Sequence, residues 1–156
     1  MKNLNNYMVE KLQKLNSKNS YHNYFPKNKE ELINLVNKLI QERGIEANLN
    51  DIDTSEIDNM TEIFKDSDFN GDISKWDVSN VKEMYGMFDH SKFTGKNGDI
   101  GKWDVSKVNC ADWMFYHSLF EGNIDNWKLP PWCEKYHMFL KCPLANKLPK
   151  WYKCRI

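Results

Sequence analysis

FNGDISKWDVSNVKEMYGMF, residues 69–88, is the stretch on which the fold turns. Its Trp76 is followed by Trp103, Trp127 and Trp151, at gaps of 27, 24 and 24 residues. Phe64, Phe88, Phe115 and Phe139 keep the same beat, with gaps of 24, 27 and 24. A single three-residue insertion near residues 95–97 accounts for both long gaps. Such a unit is one supersecondary element, and it buries its apolar face only by stacking on a neighbour. Within the unit, Asn70-Gly71 reads as a turn with positive φ. Residues 73–78 read as a short extended piece with Trp76 and Val78 on one face. Ser79 is placed to cap a short helix, whose inward stripe is Val81, Met84, Met87 and Phe88. The next repeat offers Ile100, Trp103, Val105, Val108, Met114 and Phe115 for the same positions. The third offers Phe120, Ile124, Trp127, Leu129, Trp132, Met138 and Phe139, and a partial fourth offers Leu144, Leu148 and Trp151.

Working outward, the array begins at Leu49 and Ile52, which hold the places of Ile73 and Trp76. Upstream, Leu32, Leu35, Val36, Leu39 and Ile40 are spaced i, i+3, i+4, i+7, i+8, which predicts a helix over 28–43 with one wide apolar stripe. Asn28 and Glu31 form a capping-box pair, and Gly44 supplies a left-handed stop. A second helix is predicted over 3–16 from Leu4, Met8, Leu12 and Leu15. A period of about 24 residues falls in the leucine-rich-repeat size class. The predicted fold class is therefore α/β, a short leucine-rich-repeat-like solenoid with an N-terminal helical cap. Residues 1–48 form the cap, and residues 49–156 form three full repeats and a partial C-terminal one.

Composition narrows the function. The chain of 156 residues carries 22 basic and 22 acidic side chains, so it lacks the broad positive charge of a direct nucleic-acid binder. No run reaches the 18 or so apolar residues of a membrane span. The opening MKNLNNYMVEKLQK has neither an apolar core nor a small-residue cleavage site, so a cytoplasmic setting with reduced cysteines is expected.

The segments WDVSNVKEMYGMF (76–88) and WDVSKVNCADWMF (103–115) resemble the DUF285 repeat of BspA-like leucine-rich-repeat surface proteins. The lead-in from Pro26 through LNDIDTSEIDNMTEIF is similar to what precedes such arrays. The resemblance implies a solenoid used for adhesion or protein binding, with no catalytic residues to carry over.

Four constellations invite sharper readings. Asp66, Asp68, Asn70, Gly71, Ile73 and Asp77 take EF-hand-like calcium-loop positions, but all except Asp66 and Asp68 belong to the repeat itself. Cys133, His137, Cys142 and Cys154 could ligate zinc, yet C-x3-H-x4-C-x11-C matches no paired-ligand spacing. Cys142 instead takes the place of Ser67, Ser91 and Ser118. The tryptophan column could stack sugars or bases, but its core period argues for packing. His90 and His117 are register equivalents near Asp89 and Glu121, and no nucleophile or phosphate-loop motif accompanies them. The expectation is thus no enzyme, no cofactor and no metal.

Aromatics off the core register remain. Tyr85, Trp113, Tyr116 and Tyr136 stand where other repeats carry Thr, Gly, Asp or Lys, and they are candidates for contact with another protein. Lys75, Lys102 and Lys128 line the opposite, extended side and form the second candidate surface. The expected function is non-catalytic protein binding by occlusion or scaffolding. The alternatives are a mobile-element-encoded intracellular inhibitor of a host or defence enzyme, and an adhesin-like surface fragment.

Overall fold

The computed structural model describes residues 21–153. The predicted helix 3–16 lies outside them. One α-helix is present among the described residues, α1, Lys29–Arg43. Asn28 caps it by accepting the Glu31 N–H at 2.9 Å, while Glu31 reaches back to the Lys27 N–H at 2.8 Å. Gly44 ends it at φ 91, ψ 171, a region open to glycine alone and distinct from the expected left-handed helical stop. Leu32, Val36 and Leu39 are fully buried, with Leu35 and Ile40 partly so. Arg43 fastens the end of the helix to the first repeat through a two-pronged ion pair with Asp51, at 2.9 and 3.0 Å.

Among the described residues the repeats hold no α-helix and no sheet, which overturns the α/β leucine-rich-repeat solenoid expected from the period. Outside α1 the described residues include two short 3-10 turns, Ile100–Lys102 and Pro143–Asn146. Among the described residues, extended pairing is confined to isolated parallel bridges, such as Asn59 with Glu83, Glu83 with Cys110 and Cys110 with Glu134.

The reason lies in where the backbone N–H groups go. An α-helix sends each to the carbonyl four residues back. Here Met84, Gly86, Phe88 and His90 donate instead to Cys110, Asp112, Met114 and Tyr116 of the next repeat, at 2.8–2.9 Å. The interleaved Met87, Asp89 and Ser91 close three-residue turns onto Met84, Gly86 and Phe88. Apolar residues at i, i+3 and i+4 fit this chain of turns as well as they fit a helix, so the periodicity could not separate the two. The turns require positive φ at every fourth residue, and Gly86 (54°), His90 (54°), Trp113 (59°) and His117 (51°) supply it.

The Trp-Asp-Val-Ser motif also works differently from its sequence reading. Ser79 caps no helix; its N–H and hydroxyl both donate to Asp77 Oδ1, at 3.0 and 2.6 Å. Asp53 with Ser55, Asp72 with Ser74 and Asp104 with Ser106 repeat this turn. Short polar side chains that bond their own backbone two residues on divert the chain from helix and strand. Gly71 keeps φ outside the positive region, contrary to expectation. Glycine is needed there for space, because a Cβ would stand 2.0 Å from the Ala47 carbonyl oxygen.

The core is a set of aromatic ladders. Phe64, Phe88, Phe115 and Phe139 stack at 5.4, 5.4 and 5.8 Å with planes within 5°. Phe69, Phe93 and Phe120 form a parallel ladder. Trp76, Trp103 and Trp127 are buried, and Trp76, Trp127 and Trp151 donate their indole N–H to Leu49, Ile100 and Ile124 carbonyls at 2.8–2.9 Å. Trp103 follows the insertion, and its buried indole nitrogen finds no partner among the described residues.

Candidate functional site

The third repeat slips by one residue, and the slip builds the most distinctive surface of the protein. Turns close from Ile57 to Thr54, Val81 to Val78 and Val108 to Val105, and the next closes from Cys133 to Pro130 at 3.0 Å. Pro130 therefore takes the place of Val105, and Cys133 takes that of Val108. The chain regains register at once, because Cys110 still bridges Glu134. The side chain expelled is Trp132. It was expected inward with Leu129, yet it is 72% exposed. Its indole N–H leans on Asn109 Oδ1 at 3.3 Å, which fixes the ring on the surface.

Trp132 forms one wall of an open cleft of about 770 Å3. Tyr136 and Tyr152 supply two further rings, and Asp112 and Glu134 supply carboxylates. Lys135 and Lys153 also line it. The Lys135 ammonium donates to the Cys133 carbonyl at 2.8 Å, and the Tyr152 hydroxyl donates to the Lys135 carbonyl at 3.3 Å. Asp112 accepts the Tyr136 backbone N–H, tying neighbouring repeats together at this point.

Of the residues singled out from sequence, Trp113, Tyr116 and Tyr136 come together. Trp113 meets Tyr116 edge-on at 4.5 Å and Tyr136 at 6.3 Å. His137 joins them, 5.0 Å from Trp113 and 3.7 Å from Tyr136. Tyr136 is 63% exposed, whereas Trp113 and Tyr116 are half-buried. Tyr85 is exposed but shares none of these ring contacts among the described residues. Lys75, Lys102 and Lys128 are all exposed. Beyond Tyr116 the ridge continues into His117 and His90, stacked at 4.6 Å. His90 pairs with Asp89 at 2.6 Å. Desolvation, then Lys141 and His90, holds the His117 imidazole below the ordinary histidine range.

The metal constellations weighed from sequence do not converge among the described residues; Cys154 lies beyond them. Asn70 instead accepts from Thr94, and Asp77 from Ser79. Cys142 is buried like Ser91 and Ser118, as its register requires. A different group does gather: donor atoms of Cys110, Asp112 and Glu134 lie within 4.8 Å of one another. Burial raises the Cys110 thiol above its ordinary pKa, and the charges of Asp112, Glu83 and Glu134 push the same way. Burial also pushes the Cys133 thiol up to about 11.

Trp132, Asp112, Glu134 and Tyr152 were missed as lining residues. Pro130-Pro131 was the available signal, since a diproline in place of a single register position marks an inserted residue. No helix of the described residues is long and apolar enough to cross a membrane. A family model described as "Mycoplasma protein of unknown function, DUF285" matches residues 31–151. No curated protein and no solved structure matches the chain.

Proposed function

We propose, from the premise that this chain belongs to the DUF285 family, that it is a non-catalytic module that binds another protein through the aromatic edge of its third and fourth repeats. The observation that carries this reading is the exposure of Trp132 and Tyr136 on one cleft, beside the half-buried Trp113 and Tyr116. Tryptophan and tyrosine are the side chains most enriched at binding hot spots, because they bury large area with few rotatable bonds. A further support is Trp113 itself. A bulky side chain at φ 59 occupies a position where Gly86 stands one repeat earlier, so stability alone disfavours it. Buried free thiols at Cys133 and Cys142 suit a reducing, cytoplasmic setting. On this reading the chain acts by occluding or scaffolding the partner's surface, with no chemistry of its own.

The test is affinity capture from host lysate with the immobilised full chain, compared with a Trp132→Ala, Tyr136→Ala double variant. Loss of a stoichiometric partner with an unchanged melting temperature is the expected result. Equal capture by the two proteins refutes this edge as the binding surface and moves attention to Lys75, Lys102 and Lys128.

A further inference from the structure

We infer that the cleft beside Trp132 receives a guanidinium group, the arginine side chain of the partner protein. The inference rests on the protein-binding reading above and gives it a chemistry.

Two features of the cleft coincide. Three aromatic side chains line it, Trp132, Tyr136 and Tyr152. Ring faces carry negative potential and attract cations, arginine more often than lysine. On the same walls stand Asp112 and Glu134, and Glu83 follows one repeat back along the line of bridges through Cys110. Among the described residues, none of these three carboxylates is in an ion pair, whereas Asp51, Glu56, Glu62, Asp89 and Glu121 all are. The Lys135 ammonium, which also lines the cleft, is turned to the Cys133 carbonyl. Lys153 is the one other cation on the cleft walls among the described residues, against the two carboxylates Asp112 and Glu134.

The donor group Cys110, Asp112 and Glu134 could be read as a metal site instead. The walls decide between the two. A divalent metal gains nothing from three rings and must first displace a proton from a thiol whose pKa is raised. A guanidinium uses everything present. Its flat face stacks on an indole or phenol while its edge forks onto a carboxylate, and it is weakly hydrated enough to leave water. A cleft of about 770 Å3 also has room for the arginine stem and adjoining backbone.

The experiment is a nuclear magnetic resonance titration of the nitrogen-15-labelled full chain. The probes are acetyl-Gly-Arg-Gly amide and its citrulline counterpart, which keeps the shape and removes the charge. Expected are shifts of the Trp132 indole N–H and of the Glu134 and Tyr136 amides with the arginine peptide. Binding should be about tenfold weaker for citrulline, and about tenfold weaker for arginine in Glu134→Gln. Equal response to the two peptides, or stronger response to acetyl-Gly-Glu-Gly amide at the same resonances, overturns the inference. So does stoichiometric capture of zinc, titrated alone, that shifts Cys110 and Glu134 and is lost in Cys110→Ser. Because the peptide comparison is made on the unmutated chain, it stands even if a variant misfolds. If partner capture needs Trp132 and Tyr136 while the peptides behave alike, protein binding survives and the guanidinium does not.

Discussion

Replacing Trp103 and Trp127 by phenylalanine, one at a time, separates ring packing from hydrogen bonding in the tryptophan ladder. The two indoles are 5% and 3% exposed and stack on each other at 6.3 Å. Indole to phenyl removes the same atoms at each site, so the packing loss largely cancels in the difference. The polar part does not cancel. Trp127 Nε1 donates to the Ile100 carbonyl at 2.9 Å, and losing that bond costs about 1 kcal/mol. Trp103 Nε1 is buried with no partner among the described residues, and deleting an unsatisfied donor relieves about 1–3 kcal/mol. Trp127→Phe is therefore expected to cost about 2–4 kcal/mol more than Trp103→Phe. Urea denaturation measures both, with an unchanged slope confirming that the unfolded states are comparable. A Trp103→Phe loss equal to or above that of Trp127→Phe would refute the claim that the insertion at 95–97 leaves this indole unpaired.

Other consequences are equally direct. Trp113→Gly should be more stable than Trp113→Ala by about 1 kcal/mol, reversing glycine's usual penalty, because φ is 59° there; denaturation midpoints of the pair decide it. Gly71→Ala should cost about 1–3 kcal/mol or more in the same assay, since a Cβ would lie 2.0 Å from a backbone oxygen that cannot swing away. Asp104→Ala, which removes the turn acceptor of Ser106, should cost about 1 kcal/mol. Hydrogen bonding to Arg43 lowers the Asp51 pKa in the folded state. The stability it contributes is thus full above the unfolded aspartate pKa, about 4, and is lost as pH falls through the depressed folded value. Asp51→Asn should flatten the acid limb of a stability-against-pH curve while leaving neutral-pH shape unchanged.

Much of the interior was legible. The 24-residue beat placed Phe64, Phe88, Phe115 and Phe139 in one column, and they stack as neighbours. Helix α1, its Asn28 cap and its buried stripe followed from spacing and cap chemistry alone. Three members of the aromatic cluster, Trp113, Tyr116 and Tyr136, were picked out because they depart from the repeat. The secondary structure of the repeat was not legible. Met84, Met87 and Phe88 satisfy helical spacing, but spacing reports only which side chains face inward. It does not report which carbonyl each N–H will find.

The sequence by itself determined the period, most of the inward residues, and membership of a family whose model spans residues 31–151. These are local or strictly periodic properties, and they survive any choice of backbone bonding. Only the tertiary structure decided that repeats bond to one another in place of forming helices, because a bond from Gly86 to Asp112 exists only when the next repeat lies alongside. It also decided the cleft. Pro130 and Cys133 seat themselves in the core one residue late, since the buried places must be filled by side chains that fit. The surplus residue, Trp132, then has nowhere to go but outward.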